Sequence, residues 1–306
     1  MSTLHLGLDL GGTNIKVAVL EHEGDSTRVI EQRSKPTSAQ AGPATVAERI
    51  IAAGLSAHDD LGPFDSVGLG VPGLFDDEGA ILLFPNLPGK WRGLPLRSEA
   101  SAGLDMPVMM INDARAFTLA EGNLGAGQGC RIVVAMVLGT GVGGGITVDG
   151  KLHLGAFGTA GEIGHQTVLP DGPMCGCGNR GCVEALTKAS VLAELAGKDT
   201  AEEAYEAAAA GDQASRDAIA EVANYLGIGL ANVVTILGPE RIVIGGGIAK
   251  AGDLLLEPVR RSLQQRVTLV PIEKVDVVLA ELGSSAGAIG AALAGMRSQE
   301  DEVLAR

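Results

Sequence analysis

The sequence predicts an α/β fold built twice over. Apolar strand-like runs alternate with helical patterns along the chain. The pattern strand, glycine turn, strand occurs at LGLDLGGTNIKVAVL and again at VVAMVLGTGVGGGITV. A second pair, SVGLGVPG and RIVIGGGIA, reads each time as a buried strand running into glycines. No fixed period links the copies, so the repetition is one of architecture.

Taken in order, LHLGLDL and NIKVAVLEH read as strands flanking a tight turn at Gly11-Gly12. Residues 44–55 read as a helix with Val46, Ile50, Ile51 and Leu55 on one face. Residues 66–73 form a short strand ending in a Gly/Pro turn, and 114–124 a helix with Asn112-Asp113 in the N-cap position. RIVVAMVLGTGVGGGITVDGKL repeats the opening hairpin. Alanine-rich stretches 190–210 and 215–237 read as helical. RIVIGGGIA and VDVVLAEL are the last strands. Residues 284–296 are a final helix, so rich in Ala and Gly that close packing is expected.

Length and composition narrow the function. The 306 residues suggest about two domains. Apolar residues make up 46% and aromatics 3%, which implies an aliphatic core, and 45 glycines mark many turns. A net charge of −14 argues against a nucleic-acid partner. The N-terminus lacks a basic region before its apolar run and does not read as a secretory signal. The uncharged run 132–148 brushes the length of a membrane span, but its five glycines read better as two strands and a turn. A cytoplasmic protein without membrane partners is expected, and cytosolic thiols stay reduced.

The glycine turns are the first candidate site. Backbone N–H groups at Gly11, Gly12 and Thr13, and at Gly139, Thr140 and Gly141, could cradle phosphates. Asp9, at the end of its strand, could hold a magnesium-bound water. Either turn alone reads first as a plain hairpin, since glycine hairpins are ordinary. Two strings match the dinucleotide pattern G-x-G-x-x-G, GLGVPG and GTGVGG, but Pro72 and a strand follow them where a helix is required. The Gly-Lys pairs at Lys90, Lys151 and Lys198 lack the Ser/Thr of a P-loop.

The stretch GEIGHQTVLPDGPMCGCGNRGCVE gathers His165, Cys175, Cys177 and Cys182, with glycines at 176, 178 and 181 to fold the loop back. Three thiolates and an imidazole satisfy tetrahedral zinc. A disulfide would pair two cysteines and strand the third; that and inert packing are the alternatives. Four protein ligands leave no open position, so such a metal is structural, and the second ring nitrogen of His165 could meet a substrate hydroxyl. Glu162, three residues before His165, would share its side of a helical turn. Cys130 reads as a buried small residue. Asp113 reads equally as an N-cap or as a base able to accept a hydroxyl proton.

DLGGTNIKV, GVPG, PNLPGKW, NDARA, LGTGVGGG, GEIGH and CGCGNRGCVE follow one another in an order and spacing that resemble the ROK family, within the sugar-kinase and actin-like superfamily. The resemblance runs from about Leu6 to about Gly295. It implies a duplicated actin-like ATPase (ribonuclease H-like) two-domain sugar kinase fold. Its smaller domain would be 1–112 plus 288–306. Its larger, 113–287, would carry the zinc loop 165–182 and a dimerisation surface. The implied reaction is ATP- and Mg2+-dependent phosphorylation of a hexose at C6, glucose first, with N-acetylmannosamine, N-acetylglucosamine or fructose as alternative substrates. A sugar-sensing regulator without catalysis and an actin-like filament protein are alternatives of other classes. The family's regulators carry a helix-turn-helix before DLGGT, for which the eight residues ahead of Asp9 leave no room. By the same resemblance Asp113 is the catalytic base, and Asn112, Asp113, Glu162, His165 and Glu184 hold the sugar, with Gly73 and Asn86 lining the pocket. The phosphates lie on the two glycine turns, and Gly246, within Gly245–Gly247, approaches the adenosine. Zinc sits on His165, Cys175, Cys177 and Cys182, and the protein is a homodimer or homotetramer. The chain departs from the family at Asn14, where Lys is common, and at Arg115 and Phe117, which puts the sugar in more doubt than the reaction.

Overall fold

The structure, a computed structural model, describes residues 2–85 and 87–298. Asn86 and residues 299–306 of the expected first domain lie outside the described residues. The chain divides into two units, residues 1–120 with 282–306, and residues 121–281.

The first unit runs β1 (Thr3–Leu10), β2 (Asn14–Glu23), β3 (Ser26–Pro36), α1 (Pro43–Leu61), β4 (Ser66–Val71), the short hairpin β5 (Leu74–Phe75) and β6 (Ile81–Leu83), α2 (Leu96–Leu104), β7 (Val108–Asn112) and α3 (Asp113–Leu124). The second holds β8 (Ile132–Leu138), β9 (Val142–Val148), β10 (Lys151–Leu152), α4 (Val183–Thr187), α5 (Ala189–Ala196), α6 (Ala201–Ala209), α7 (Gln213–Leu237), β11 (Arg241–Gly245), α8 (Asp253–Arg266) and β12 (Asp276–Leu279). The last helix, α9 (Ala286–Arg297), returns to the first unit.

The expected repetition is in the sheets. Their orders are β3-β2-β1-β4-β7 and β10-β9-β8-β11-β12. In each, the second strand lies antiparallel to both neighbours and the fourth parallel to both its own. The uncharged run 132–148 is the β8–β9 hairpin, as its glycines indicated. β4 is buried at every position, as befits a parallel strand covered on both faces.

In the first unit, Leu6, Leu8, Val67 and Leu69 form a core with Val46 and Ile50 of α1. The α1 face differs from expectation. Leu55 is 43% exposed, and Ala47, Ala53, Gly54 and Ala57 fill the buried stripe instead. α2 can come this close because a Cβ at Gly54 would lie 2.7 Å from a Leu104 methyl. The glycines of α9 do serve close packing. A Cβ at Gly7 would fall 1.9 Å from the Ala288 carbonyl oxygen, and one at Gly290 would fall 1.7 Å from that of Ala116.

In the second unit, Val134, Met136, Ile242 and Ile244 pack with Val222, Leu226 and Leu230 of α7 and with Leu255 and Val259 of α8. Among the described residues α7 alone is long and apolar enough to cross a membrane by length and composition, and 56% of its apolar window is buried in the protein. The expected helix 190–210 is two. Gly197 closes α5 in the left-handed region, and Thr200 caps α6 by accepting the Glu203 N–H.

The chain leaves the first unit inside α3, at Ala120–Glu121, and returns at Glu281–Leu282. Glu121 is fully buried. Its Oε2 accepts the N–H groups of Ala126 at 2.9 Å and Glu281 at 3.1 Å, which ties the two passages together.

Candidate active site

In the first unit, β1 carries Asp9 to the edge of the turn at Gly11–Thr13. Gly11 N–H donates to the Asn14 carbonyl at 3.0 Å and closes the hairpin. Gly12 and Thr13 are exposed. The turn is held from outside by Thr37, which is fully buried. Its hydroxyl donates to the Gly11 carbonyl at 2.7 Å and its N–H to that of Thr13 at 2.8 Å. Nothing in the sequence reading singled out Thr37, which follows directly after β3.

Asp9 lies against the first turn of α9, where a Cβ at Gly287 would sit 2.5 Å from its Oδ2. Burial first, then the Asp113 carboxylate, pushes Asp9 up to about 7, against the pull of Lys16. Two carboxylates that repel one another, offset only in part by Lys16, make a site that favours a cation.

At the β7–α3 junction the cap belongs to Asn112. Its Oδ1 accepts the N–H groups of Ala114 at 3.0 Å and Arg115 at 3.3 Å, and its Nδ2 donates to the Gly73 carbonyl at 3.2 Å. One amide N–H of Asn112 remains for other partners. Asp113 is the first residue of the helix, and its Oδ1 also takes the Ala114 N–H, at 2.8 Å. Phe117 is buried, while Arg115 is partly exposed.

In the second unit, Gly139 N–H donates to the Gly141 carbonyl at 2.9 Å. Ala189 N–H donates to the Gly139 carbonyl at 2.9 Å, and Val142 N–H to Glu184 Oε2 at 3.0 Å. Thr140 is exposed. Gly246 has φ +89°, and a Cβ there would lie 2.3 Å from the Leu138 carbonyl oxygen. The glycines after β11 therefore abut the strand end that leads into the turn.

The sulfur and nitrogen atoms of His165, Cys175, Cys177 and Cys182 all lie within 4.8 Å of one another. Cys177 Sγ and Cys182 Sγ are 3.7 Å apart, and Cys175 Sγ is 3.6 Å from His165 Nδ1. A tetrahedron with Zn–S of about 2.3 Å and Zn–N of about 2.0–2.1 Å requires about 3.8 and about 3.6 Å for these pairs. The donor set fits tetrahedral zinc, with Nδ1 as ligand and Nε2 left for another partner. Burial pushes the Cys175 thiol up to about 12 and raises that of Cys182, whereas the Asn179 N–H lowers that of Cys177. With Cys175 and Cys182 raised, all three sulfurs would be thiolates at neutral pH only with a cation among them. Gly178 and Gly181 have φ of +92° and +63°, so these two glycines are required. Gly176 meets nothing and is not so constrained. Glu162 is exposed and precedes the single 3-10 turn Ile163–His165. Cys130, expected to be buried, is partly exposed and stands apart from the cluster.

Residues 5–296 match the model of the ROK family. The glucokinase of Halalkalibacterium halodurans is 36% identical over 311 residues, spanning 94% of this chain and 93% of that protein. The structure of a ROK hexokinase from Thermus thermophilus aligns with a TM-score of 0.82 at 36% identity, over 98% of this chain and 100% of that one. A ROK family glucokinase from Streptomyces griseus, solved with glucose and AMPPNP, aligns with a TM-score of 0.80 at 32% identity, over 96% and 99% of the two chains. The duplicated actin-like fold expected from the resemblance is the fold observed.

Proposed function

The chain belongs to the ROK family, and on that premise we infer that it is an ATP-dependent hexokinase that converts glucose to glucose 6-phosphate. The observation that carries the mechanism is the division of roles at β7–α3. Asn112 caps the helix, so the cap does not require Asp113. Asp113 accepts the proton of the sugar's C6 hydroxyl as that oxygen bonds to the γ-phosphorus. The bond from phosphorus to the β–γ bridging oxygen breaks, and ADP leaves with the electron pair. Backbone N–H groups at Gly11–Thr13 and Gly139–Gly141 hold phosphates, and the glycines at 245–247 leave room for adenosine. The remaining N–H of Asn112, His165 Nε2, and the carboxylates of Glu162 and Glu184 take sugar hydroxyls. Gly73 contributes its backbone carbonyl beside Asn112. Mg2+, when bound, neutralises phosphate charge, and Asp9 is the residue that would hold it through water.

Zinc on His165, Cys175, Cys177 and Cys182 is the structural part of this reading, supported by the two distances that match a tetrahedron. Cys177→Ser should lose the metal and lower the melting temperature by about 5 °C or more. Metal analysis beside a thermal melt checks this. An unchanged melt with metal still bound would reject the assignment. A homodimer or homotetramer through the second unit, which leaves Ile236 and Leu269 exposed, completes the reading, together with a cytoplasmic location. The mass of the active species in sedimentation tests the assembly.

The test of the reaction is ADP release with Mg-ATP across glucose, mannose, fructose, N-acetylglucosamine and N-acetylmannosamine. Glucose should lead by about tenfold or more in kcat/KM. A preference for an acetylated sugar would keep the chemistry and reject the substrate. No ADP with any of them, nor any product with polyphosphate as donor, would leave a sugar-binding regulator.

A further inference from the structure

Each glycine turn is held by a residue outside its own hairpin, and the two holders differ. Thr37 holds the first with its hydroxyl and backbone. The second is held by the segment 184–189. Glu184 Oε2 takes the Val142 N–H just after the turn, and Ala189 N–H donates to the Gly139 carbonyl at its start. We propose that Glu184 is a positioning residue for the nucleotide, shaping the phosphate turn Gly139–Gly141 through the Val142 N–H.

This rests on the kinase reading and adds to it, since there Glu184 is only a sugar ligand. A sugar ligand needs an oxygen aimed at the substrate. Oε2 is instead committed to the turn, by a charge-assisted bond of 3.0 Å. The turn is also shaped around the carboxylate, because a Cβ at Gly141 would lie 2.7 Å from Oε2. Oε1 stands 3.5 Å from Cys175 Sγ. The segment 184–189 begins two residues after Cys182 of the donor cluster, so the loop gathered around the metal donors and the grip on the turn are one continuous piece of chain. Removing the carboxylate should therefore have two separable effects, one on sugar and one on nucleotide.

The experiment reads both without turnover. In ligand-free Glu184→Ala, amide exchange at Val142 should rise about tenfold or more, as a charge-assisted hydrogen bond is lost. The Kd for Mg-AMPPNP without sugar should weaken about fivefold or more. Glu184→Gln should restore protection, since its carbonyl oxygen accepts the same N–H. Gly141→Ala keeps Glu184 and the metal donors, displaces the carboxylate from the turn, and should also speed Val142 exchange. Unchanged exchange at Val142 in both Glu184→Ala and Gly141→Ala would overturn the proposal. So would faster exchange with unaltered Mg-AMPPNP affinity and a loss confined to glucose binding. If the wild-type protein bound no nucleotide, the kinase reading would fall with it, and protected Val142 in that protein would show the failure to lie in the reading and not in the contact.

Discussion

Asp113→Asn should lower kcat for glucose phosphorylation by about 10²–10⁴-fold, the usual worth of a positioned base. The substitution keeps the side chain's shape and removes its ability to take a proton. Glucose binding should stay within about threefold, because an amide oxygen still accepts a hydroxyl hydrogen bond. The fold should not suffer, since Asn112 supplies the cap. Stability should rise at neutral pH, because the substitution removes the like charge that helps push up Asp9. Steady-state kinetics, calorimetric glucose binding and a melt at pH 8 read these effects. A variant retaining a tenth of the wild-type rate would remove Asp113 as the base.

Asp9→Asn should separate stability from activity. Asp9 is raised from an ordinary value of 3.8 to about 7, chiefly by burial. Between those values the native chain binds more protons than the unfolded one, so stability falls as pH rises across this window. Below it the protonated carboxyl carries no such cost. Above about 7 the cost is fully present, at most about 4 kcal/mol for a shift of this size. The neutral amide should therefore raise the melting temperature at pH 8 and have little effect near pH 4. It should also weaken Mg-nucleotide use and lower turnover by about 10²-fold. A flat stability difference across pH would show that Asp9 is ionised in the native state throughout.

The paired hairpins and their turns were legible because apolar strands with glycines between them leave a local signature. β3 was not, since as an edge strand it buries no residue fully, and its less exposed positions, Thr27, Val29, Glu31 and Arg33, include a single apolar side chain, so no apolar alternation shows. α8 hid behind Pro258, which lies inside the helix. The split near Gly197 was readable, because Thr200 and Glu203 stand at capping-box spacing. The metal donors could be read because they lie in one loop. The cap at Asn112–Asp113 could not, because either residue type can cap a helix and only the hydrogen bonds decide. Thr37 and the grip of Glu184 on Val142 were hidden for another reason. They join residues 26 and 42 positions apart, and local pattern carries nothing about such pairs.

The close fit of α9 onto the first sheet has a consequence for the order in which the protein is made. The backbone of β1 at Gly7 and of β4 at Gly68 is covered by Ala288 and Ala291. Those residues leave the ribosome only after the whole of the second unit, residues 121–281, has been synthesised. The first unit therefore cannot seal its sheet until the second has been made and α9 has followed it. Of the two units, the one whose synthesis starts earlier is the one that closes later.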